Sequence, residues 1–118
     1  MSSEVFDLPS LWSRVDGDAD LLREMIAIFA AEYPPVLGRL EAAIERGDAA
    51  MVQSAAHKLK GSLVQFSAYT ATGTASSLED MGKNRSMEGA AELAHRLRAE
   101  IADLLQALKR GGFPGATK

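Results

Sequence analysis

The residues best suited to chemistry in this sequence are His57, Lys60 and Gly61, which fall within about one turn of a predicted helix. A neutral imidazole has a free lone pair near pH 7 and can act as a nucleophile. Lys60 places a mobile positive charge beside the ring, which suits phosphoryl oxygens. Gly61 has no Cβ, so a phosphate or a partner's loop could approach the ring there. These residue types predict nucleophilic phosphoryl transfer.

The helical period of this segment directs the same residues toward solvent. The apolar positions that define its core face are Val52, Ala55, Leu59, Leu63 and Phe66. Measured from Val52, His57 points roughly 140° away. Val64 lies seven residues after His57 and extends the predicted exposed stripe. A glycine in a helix interior costs about 1 kcal/mol relative to alanine, so Gly61 calls for a functional reason.

A lone histidine on a helix is ordinarily a solvated surface residue. His95 fits that interpretation because no glycine lies one helical turn after it. The Lys-Gly pair one turn after His57 favours the functional interpretation there. The chain has no Walker-type glycine loop and no clustered Asp/Glu motif that would bind Mg²⁺. We therefore predict no intrinsic metal site or cofactor, and expect a partner to supply the metal.

The rest of the chain also follows the helical period, so we predict an all-α fold. Short connections favour an antiparallel four-helix bundle with a short additional N-terminal helix across one end. Pro34 and Pro35 predict a kink or break, giving one bent helix or two nearly collinear ones. The predicted helices are one capped by Asp7, one from the Asp18 cap to Gly47, one from about Ala49 to Phe66, one from roughly Ala68 to Met81, and a last one capped by Ser86 that runs past Leu108.

We predict one domain over residues 1–110 and a flexible C-terminal tail over residues 111–118. The net charge is -3 with no long basic run, which gives nucleic-acid binding little electrostatic support. The absence of cysteine excludes disulfides and thiolate metal sites. No secretory signal is visible and no apolar run approaches the ~20 residues that cross a bilayer. We expect a cytoplasmic monomer whose partners are proteins.

Two stretches of sequence resemble a known family. The run Ala56-His57-Lys58-Leu59-Lys60-Gly61-Ser62, continuing to Phe66-Ser67-Ala68, resembles the Ala-His-x-Leu-Lys-Gly-Ser…Gly-Ala motif of histidine phosphotransfer domains. Leu78-Glu79-x-x-Gly82-Lys83 resembles the stretch that follows it in that family. The resemblance covers about residues 6 to 108. Ser67 departs from it, because the family more often has glycine at that position.

The resemblance implies a four-helix bundle in which His57 exchanges a phosphoryl group with a receiver-domain aspartate, and in which the receiver supplies Mg²⁺. The receivers would belong to response regulators or to hybrid histidine kinases of bacterial two-component signalling. Lys60 would steady the phosphate, Gly61 would admit the receiver, and the predicted partner-binding residues are Lys58, Val64, Gln65 and Lys83. Gln65 could also hydrogen-bond the imidazole or phosphate, although its direction places it to one side.

Three functions remain open on these residues. The first is a phosphocarrier with no kinase activity of its own. The second is a phosphoacceptor domain of a larger histidine kinase. The third is a bundle that binds receivers without accepting phosphate.

Overall fold

A computed structural model describes residues 5–110, so the predicted tail at 111–118 lies outside the described residues. Every regular element in this range is helical, which confirms the all-α prediction. The helices are α1 Leu8–Arg14, α2 Ala19–Arg46, α3 Ala49–Gln65, α4 Tyr69–Asn84 and α5 Ala90–Arg110.

Aspartates begin three of the helices as predicted. The side chain of Asp7 accepts a hydrogen bond from the Ser10 backbone N–H, Asp18 caps α2 in the same way, and Asp48 caps α3. In each case the carboxylate satisfies a backbone donor that has no partner within the first turn. The short segment Gly47-Asp48 therefore ends one helix and starts the next, with Gly47 at a φ of 73°.

The two prolines do not divide α2, which is a single helix of 28 residues. Pro34 and Pro35 both lie on its exposed side. Each lacks a backbone N–H, so the carbonyl one turn earlier loses a partner within the helix. Water can satisfy those carbonyls on the exposed side, while the buried residues before and after the prolines hold the helix against the bundle. These buried residues include Phe29, Val36, Leu37 and Leu40.

The four long helices close into a bundle, since α3 packs on α2 and α4, and α5 packs on the same two helices. Neighbours run antiparallel. Glycine Gly82 near the end of α4 lies against Gln53 near the start of α3, and Phe29 in the first half of α2 contacts Phe66 just after α3 with ring centroids 5.4 Å apart. A continuous apolar core fills the space between the helices.

The connection from α4 to α5 differs from the prediction. Helix α4 continues one turn further, to Asn84, and ends where Arg85 adopts a left-handed conformation with a φ of 56°. The backbone N–H of Ser86 donates to the Met81 carbonyl and so closes α4. The prediction that Ser86 caps the last helix is therefore wrong, because α5 begins at Ala90, directly after Gly89.

Ser67 explains why a glycine is common at its position. It ends α3 with a φ of 54°, in the left-handed region that glycine enters most easily. Here the buried hydroxyl is used to attach α1 to the bundle. Ser67 Oγ accepts from Arg14 Nε at 3.1 Å and lies 2.9 Å from Ser10 Oγ, and the Ser67 carbonyl accepts from the Asp7 N–H.

Gly82 lies where α3 and α4 approach each other closely. A Cβ at this position would lie 2.5 Å from the Gln53 backbone nitrogen and 2.6 Å from the Ala49 carbonyl oxygen. Both distances are well inside van der Waals contact, and both neighbours are backbone atoms that cannot swing aside. Glycine therefore determines how near, and in which register, α4 lies against α3.

We expect Gly82→Ala to lower the free energy of unfolding by about 1–3 kcal/mol, because the added methyl forces two backbones apart. Urea denaturation measures this change. Gly73→Ala in the same helix is the matched control, since nothing lies within 4 Å of a Cβ there. That variant should gain up to about 1 kcal/mol from alanine's higher helix propensity. Equal stability of the two variants would contradict the close contact at Gly82.

Candidate functional site

Helix α3 presents His57 to solvent, as its apolar spacing predicts. All five residues of the predicted core face are buried. The side chain of His57 is 68% exposed. The histidine is therefore held on a helix whose opposite face is anchored in the core, and its ring is accessible from outside.

The imidazole is oriented by a carboxylate from the neighbouring helix. His57 Nδ1 lies 2.8 Å from Glu79 Oε2, and the Glu79 side chain is only 16% exposed. The hydrogen bond to Lys60 holds the pKa of the Glu79 carboxyl group below its ordinary value, and the hydrogen bond to His57 acts in the same direction, against the effect of burial. An ionised carboxylate only accepts hydrogen bonds, so Nδ1 carries the proton. The lone pair of the neutral ring is then on Nε2, which makes Nε2 the nucleophilic atom.

Lys60 shares the same carboxylate. Its Nζ lies 2.5 Å from Glu79 Oε1, while Oε2 accepts from the histidine. The Lys60 side chain is 32% exposed, because it lies against α4 on its way to Glu79. The sequence placed Lys60 on the same exposed stripe as His57. The structure shows instead that both residues bind one half-buried acid between α3 and α4.

This pairing makes the stability of the fold depend on acidity. Because the pKa of the Glu79 carboxyl group is lowered on folding, its contribution to the free energy of unfolding is complete above the ordinary value of 4.5 and is lost as the pH falls through the lowered folded value. As the pH is lowered below about 4.5, we expect the free energy of unfolding of the native protein to decrease more steeply than that of Glu79→Gln. Urea denaturation from about pH 6 down to about pH 3 tests this. Glu41, whose pKa is lowered by its hydrogen bond to Arg98, is present in both proteins, so its contribution cancels.

Gly61 leaves the backbone beside the histidine uncovered. No atom lies within 4 Å of a Cβ built at this position, and the residue is exposed. A substitution here would project into solvent, not into the protein. The open turn predicted from the sequence is therefore present on the surface next to His57.

The four predicted partner-binding residues lie on two helices, with Lys58, Val64 and Gln65 on α3 and Lys83 on α4. Lys58 and Gln65 are exposed on the side of α3 that faces α2. Val64 is half-buried, and Lys83 is exposed in the last turn of α4, one turn after Glu79. The imidazole's hydrogen-bond partner is Glu79 and not Gln65. A recess of about 400 Å³ adjoins the ring on its other side and is lined by Ala50, Gln53, Ser54, His57 and Glu79.

Glu79 contacts both His57 and Lys60, and no local sequence pattern predicts these contacts. In the sequence it stands within the stretch from Leu78 to Lys83 that resembles the family. Its position three residues before Gly82 is the one indication in the sequence. Because Gly82 packs against α3, a residue one turn earlier on α4 also lies close to α3. Glu79 and His57 are 22 positions apart in the sequence, so no local pattern reveals that pairing.

Within residues 5–110, no group of three or more His, Cys, Asp or Glu side chains is arranged to hold a metal ion. The helices in this range also include none with the length and apolar character needed to cross a bilayer.

Comparison with known proteins places this geometry in a family. A model of the Hpt domain matches residues 24–109, which is more than half of the 118-residue chain. The matched segment contains all of α3 and α4, nearly all of α5 and most of α2. Neither the curated proteins nor the solved structures gave a match. Hpt domains are helical bundles that carry phosphoryl groups in phosphorelays and interact with receiver domains. The exposed histidine on α3 and the family match together lead to one conclusion: the chain belongs to the Hpt domain family.

Proposed function

We propose that His57 accepts a phosphoryl group on Nε2 from the aspartyl phosphate of a receiver domain and returns it to another receiver. The observation that carries this proposal is the exposed imidazole whose Nδ1 is hydrogen-bonded to Glu79. That bond directs the lone pair outward, toward a partner. The protein acts as a phosphocarrier without kinase activity of its own.

The transfer step involves only the imidazole of this protein and the aspartyl phosphate of the receiver. The Nε2 lone pair attacks phosphorus, the N–P bond forms, and the P–O bond to the receiver's aspartate breaks to leave a carboxylate. The imidazole then carries a proton on Nδ1 and a phosphoryl group on Nε2, so the ring is positively charged. The Glu79 carboxylate, 2.8 Å from Nδ1, is placed to compensate that charge. Return of the phosphoryl group regenerates the neutral ring.

Lys60 is bound to Glu79 before transfer, one turn along α3 from the histidine. Its long side chain can turn from the carboxylate toward the phosphoryl oxygens without any movement of the helix. We propose that it stabilises them as a point charge. The receiver supplies Mg²⁺. The partners of this protein are the receiver domains of response regulators or of hybrid histidine kinases. We place the exchange in the cytoplasm, with the chain acting as a monomer.

The experiment is to incubate the protein with a phosphorylated receiver and Mg²⁺ and to analyse the product by ³¹P NMR. We expect acid-labile phosphate on this chain, bonded to Nε2. Phosphate bonded to Nδ1 would contradict the role of Glu79. Binding of the receiver with no phosphate on the chain would favour an interaction module.

We expect Glu79→Ala to slow transfer by about 10–100-fold, by analogy with the loss seen when the hydrogen-bond partner of a metal-binding histidine is removed. Without the carboxylate, neither the proton position nor the ring orientation is maintained. Glu79→Gln should fall between the native protein and Glu79→Ala, because the amide oxygen can still accept from Nδ1 but carries no charge. Single-turnover transfer kinetics measure both. A rate for Glu79→Ala equal to the native rate would remove Glu79 from the mechanism.

A further inference from the structure

The recess beside the imidazole extends toward the start of α3. It encloses about 400 Å³ and is lined by Ala50, Gln53, Ser54, His57 and Glu79. Side chains on a helix lean toward its N-terminus, so the His57 ring lies over the turn that holds Gln53 and Ser54. Ala50, one turn further back, has only a methyl group and is too small to fill the space. The volume is many times the ~30 Å³ that one water molecule occupies in the liquid, so the recess can hold a phosphoryl group together with water.

Ser54 brings to this recess a hydroxyl that has no hydrogen-bond partner in the described part of the chain. Hydroxyls inside helices often donate to the carbonyl four residues earlier. Thr72 and Thr74 on α4 do so, to the carbonyls of Ala68 and Thr70. Ser54 makes no such bond and is exposed. Its hydroxyl is therefore free to donate to a group that enters the recess.

Gln53 adds a second donor on the side of the recess toward α4. The residue is half-buried, and its backbone nitrogen forms part of the contact with Gly82. The packing of α3 on α4 thus fixes the position from which its side chain extends. The amide group carries two donor hydrogens, and it too has no hydrogen-bond partner among the described residues. A hydroxyl and an amide therefore line the space beside the ring.

The charges around the recess suit neutral donors of this kind. Glu79 is its acidic residue, and both carboxylate oxygens are in use, with Oε2 at His57 Nδ1 and Oε1 at Lys60 Nζ. Because Nδ1 is held by Glu79, Nε2 is the ring nitrogen left open to solvent and to the recess. A phosphoryl group presents three strong acceptor oxygens and carries negative charge. Donors without a negative charge can bind those oxygens without adding to the repulsion from Glu79.

We propose that the recess receives the phosphoryl group once it is bonded to Nε2, and that the Ser54 hydroxyl and the Gln53 amide donate hydrogen bonds to its oxygens. This inference rests on the proposed function and deepens it, because it names two further residues that touch the transferred group. Lys60 acts from the C-terminal side of the ring, whereas Ser54 and Gln53 act from the N-terminal side. Since they bind only the phosphorylated form, they increase the share of phosphate that this protein retains.

The test measures an equilibrium. A dilute mixture of the protein, a phosphorylated receiver and Mg²⁺ is followed until the ratio of phosphate on this chain to phosphate on the receiver is constant. That ratio compares the separate proteins, so any effect of a substitution on docking cancels. We expect Ser54→Ala to lower the ratio about 3–10-fold through the loss of one hydrogen bond. Gln53→Met, which keeps the length of the side chain without its donor, should lower it by a similar factor. Ser54→Asp should lower it further, since like charges repel.

Ser77→Ala is the matched control, because it makes the same change on α4 at a position about 200° around the helix from Glu79. It should leave the ratio within about twofold of the native value. Ser54 and Ser77 are both exposed, so thermal denaturation should show that both alanine variants fold. A decrease in Ser77→Ala equal to that in Ser54→Ala would overturn the proposal.

Phosphoramidate, a small phosphoryl donor that needs no docking surface, separates this inference from the proposed function. We expect it to phosphorylate His57 in the native protein and in Ser54→Ala. If the native protein accepts phosphate from neither phosphoramidate nor the receiver, the proposed function fails. If the native protein accepts phosphate, and both Ser54→Ala and Gln53→Met give the native ratio, the role of the recess alone is overturned.

Discussion

Replacing His57 with glutamine is expected to abolish phosphoryl transfer to this chain, a loss of at least about 10³-fold, because the nucleophile itself is removed. Glutamine is uncharged and similar in length, and the replaced side chain is 68% exposed. The core face of α3 is untouched, so the variant should fold normally. Its loss of activity can then be assigned to chemistry. Acid-labile phosphate after incubation with a phosphorylated receiver is the measurement.

His95 provides the matched control, since it is the other histidine in the chain and is also exposed on a helix. His95→Gln makes the same chemical change on α5 and should transfer at the native rate. Phosphate retained by His57→Gln, or lost in His95→Gln, would place the phosphoacceptor elsewhere. Both variants should fold as the native protein does, because both replaced side chains are exposed.

Gly61→Leu is expected to produce the second largest effect, a loss of about 10²-fold in transfer from a receiver, since a small displacement of reacting atoms is enough to cause a loss of that size. The leucine side chain would stand in the open turn beside His57. A Cβ there meets no atom within 4 Å, so the substitution creates no clash inside the protein. Leucine also favours helix more than glycine does, by somewhat less than about 1 kcal/mol. The variant should therefore be at least as stable as the native protein.

Three comparisons make this prediction specific. Phosphoramidate should still phosphorylate Gly61→Leu within about twofold of the native rate, since a small donor can pass the leucine. Gly61→Ala should give an intermediate loss. Gly73→Leu, at the other open glycine of the α3 and α4 pair, should leave transfer unchanged. Equal loss with both donors would mean that Gly61 acts on the imidazole and not on the approach of the partner.

The features that were predictable from the sequence are local ones. The core face of α3 follows from the helical period, and the exposure of His57 follows from that face. The caps at Asp7, Asp18 and Asp48 depend only on the few residues after each aspartate. Such features need no knowledge of neighbouring helices, and the structure bears them out.

The features that were missed depend on contacts between distant segments. Glu79 meets His57 and Lys60 only because α4 packs antiparallel to α3 in one register. Ser86 is a favourable cap residue in isolation, yet its backbone closes the preceding helix because Arg85 turns the chain there. The continuity of α2 through Pro34 and Pro35 does not follow from the local sequence for a related reason, since it depends on which side of the helix faces solvent.

The contact at Gly82 has a consequence for how such a protein can diversify. One turn of α4 holds both the glycine that touches α3 and the acid that orients the histidine, so a slip of α4 by one turn, about 5.4 Å, would carry the carboxylate out of reach. The position of Glu79 against His57 therefore depends on the backbone contact at Gly82, which tolerates little variation. Leu21 and Ile28 are on another helix and take no part in that junction. Exposed positions of that helix can therefore change without moving Glu79 away from His57.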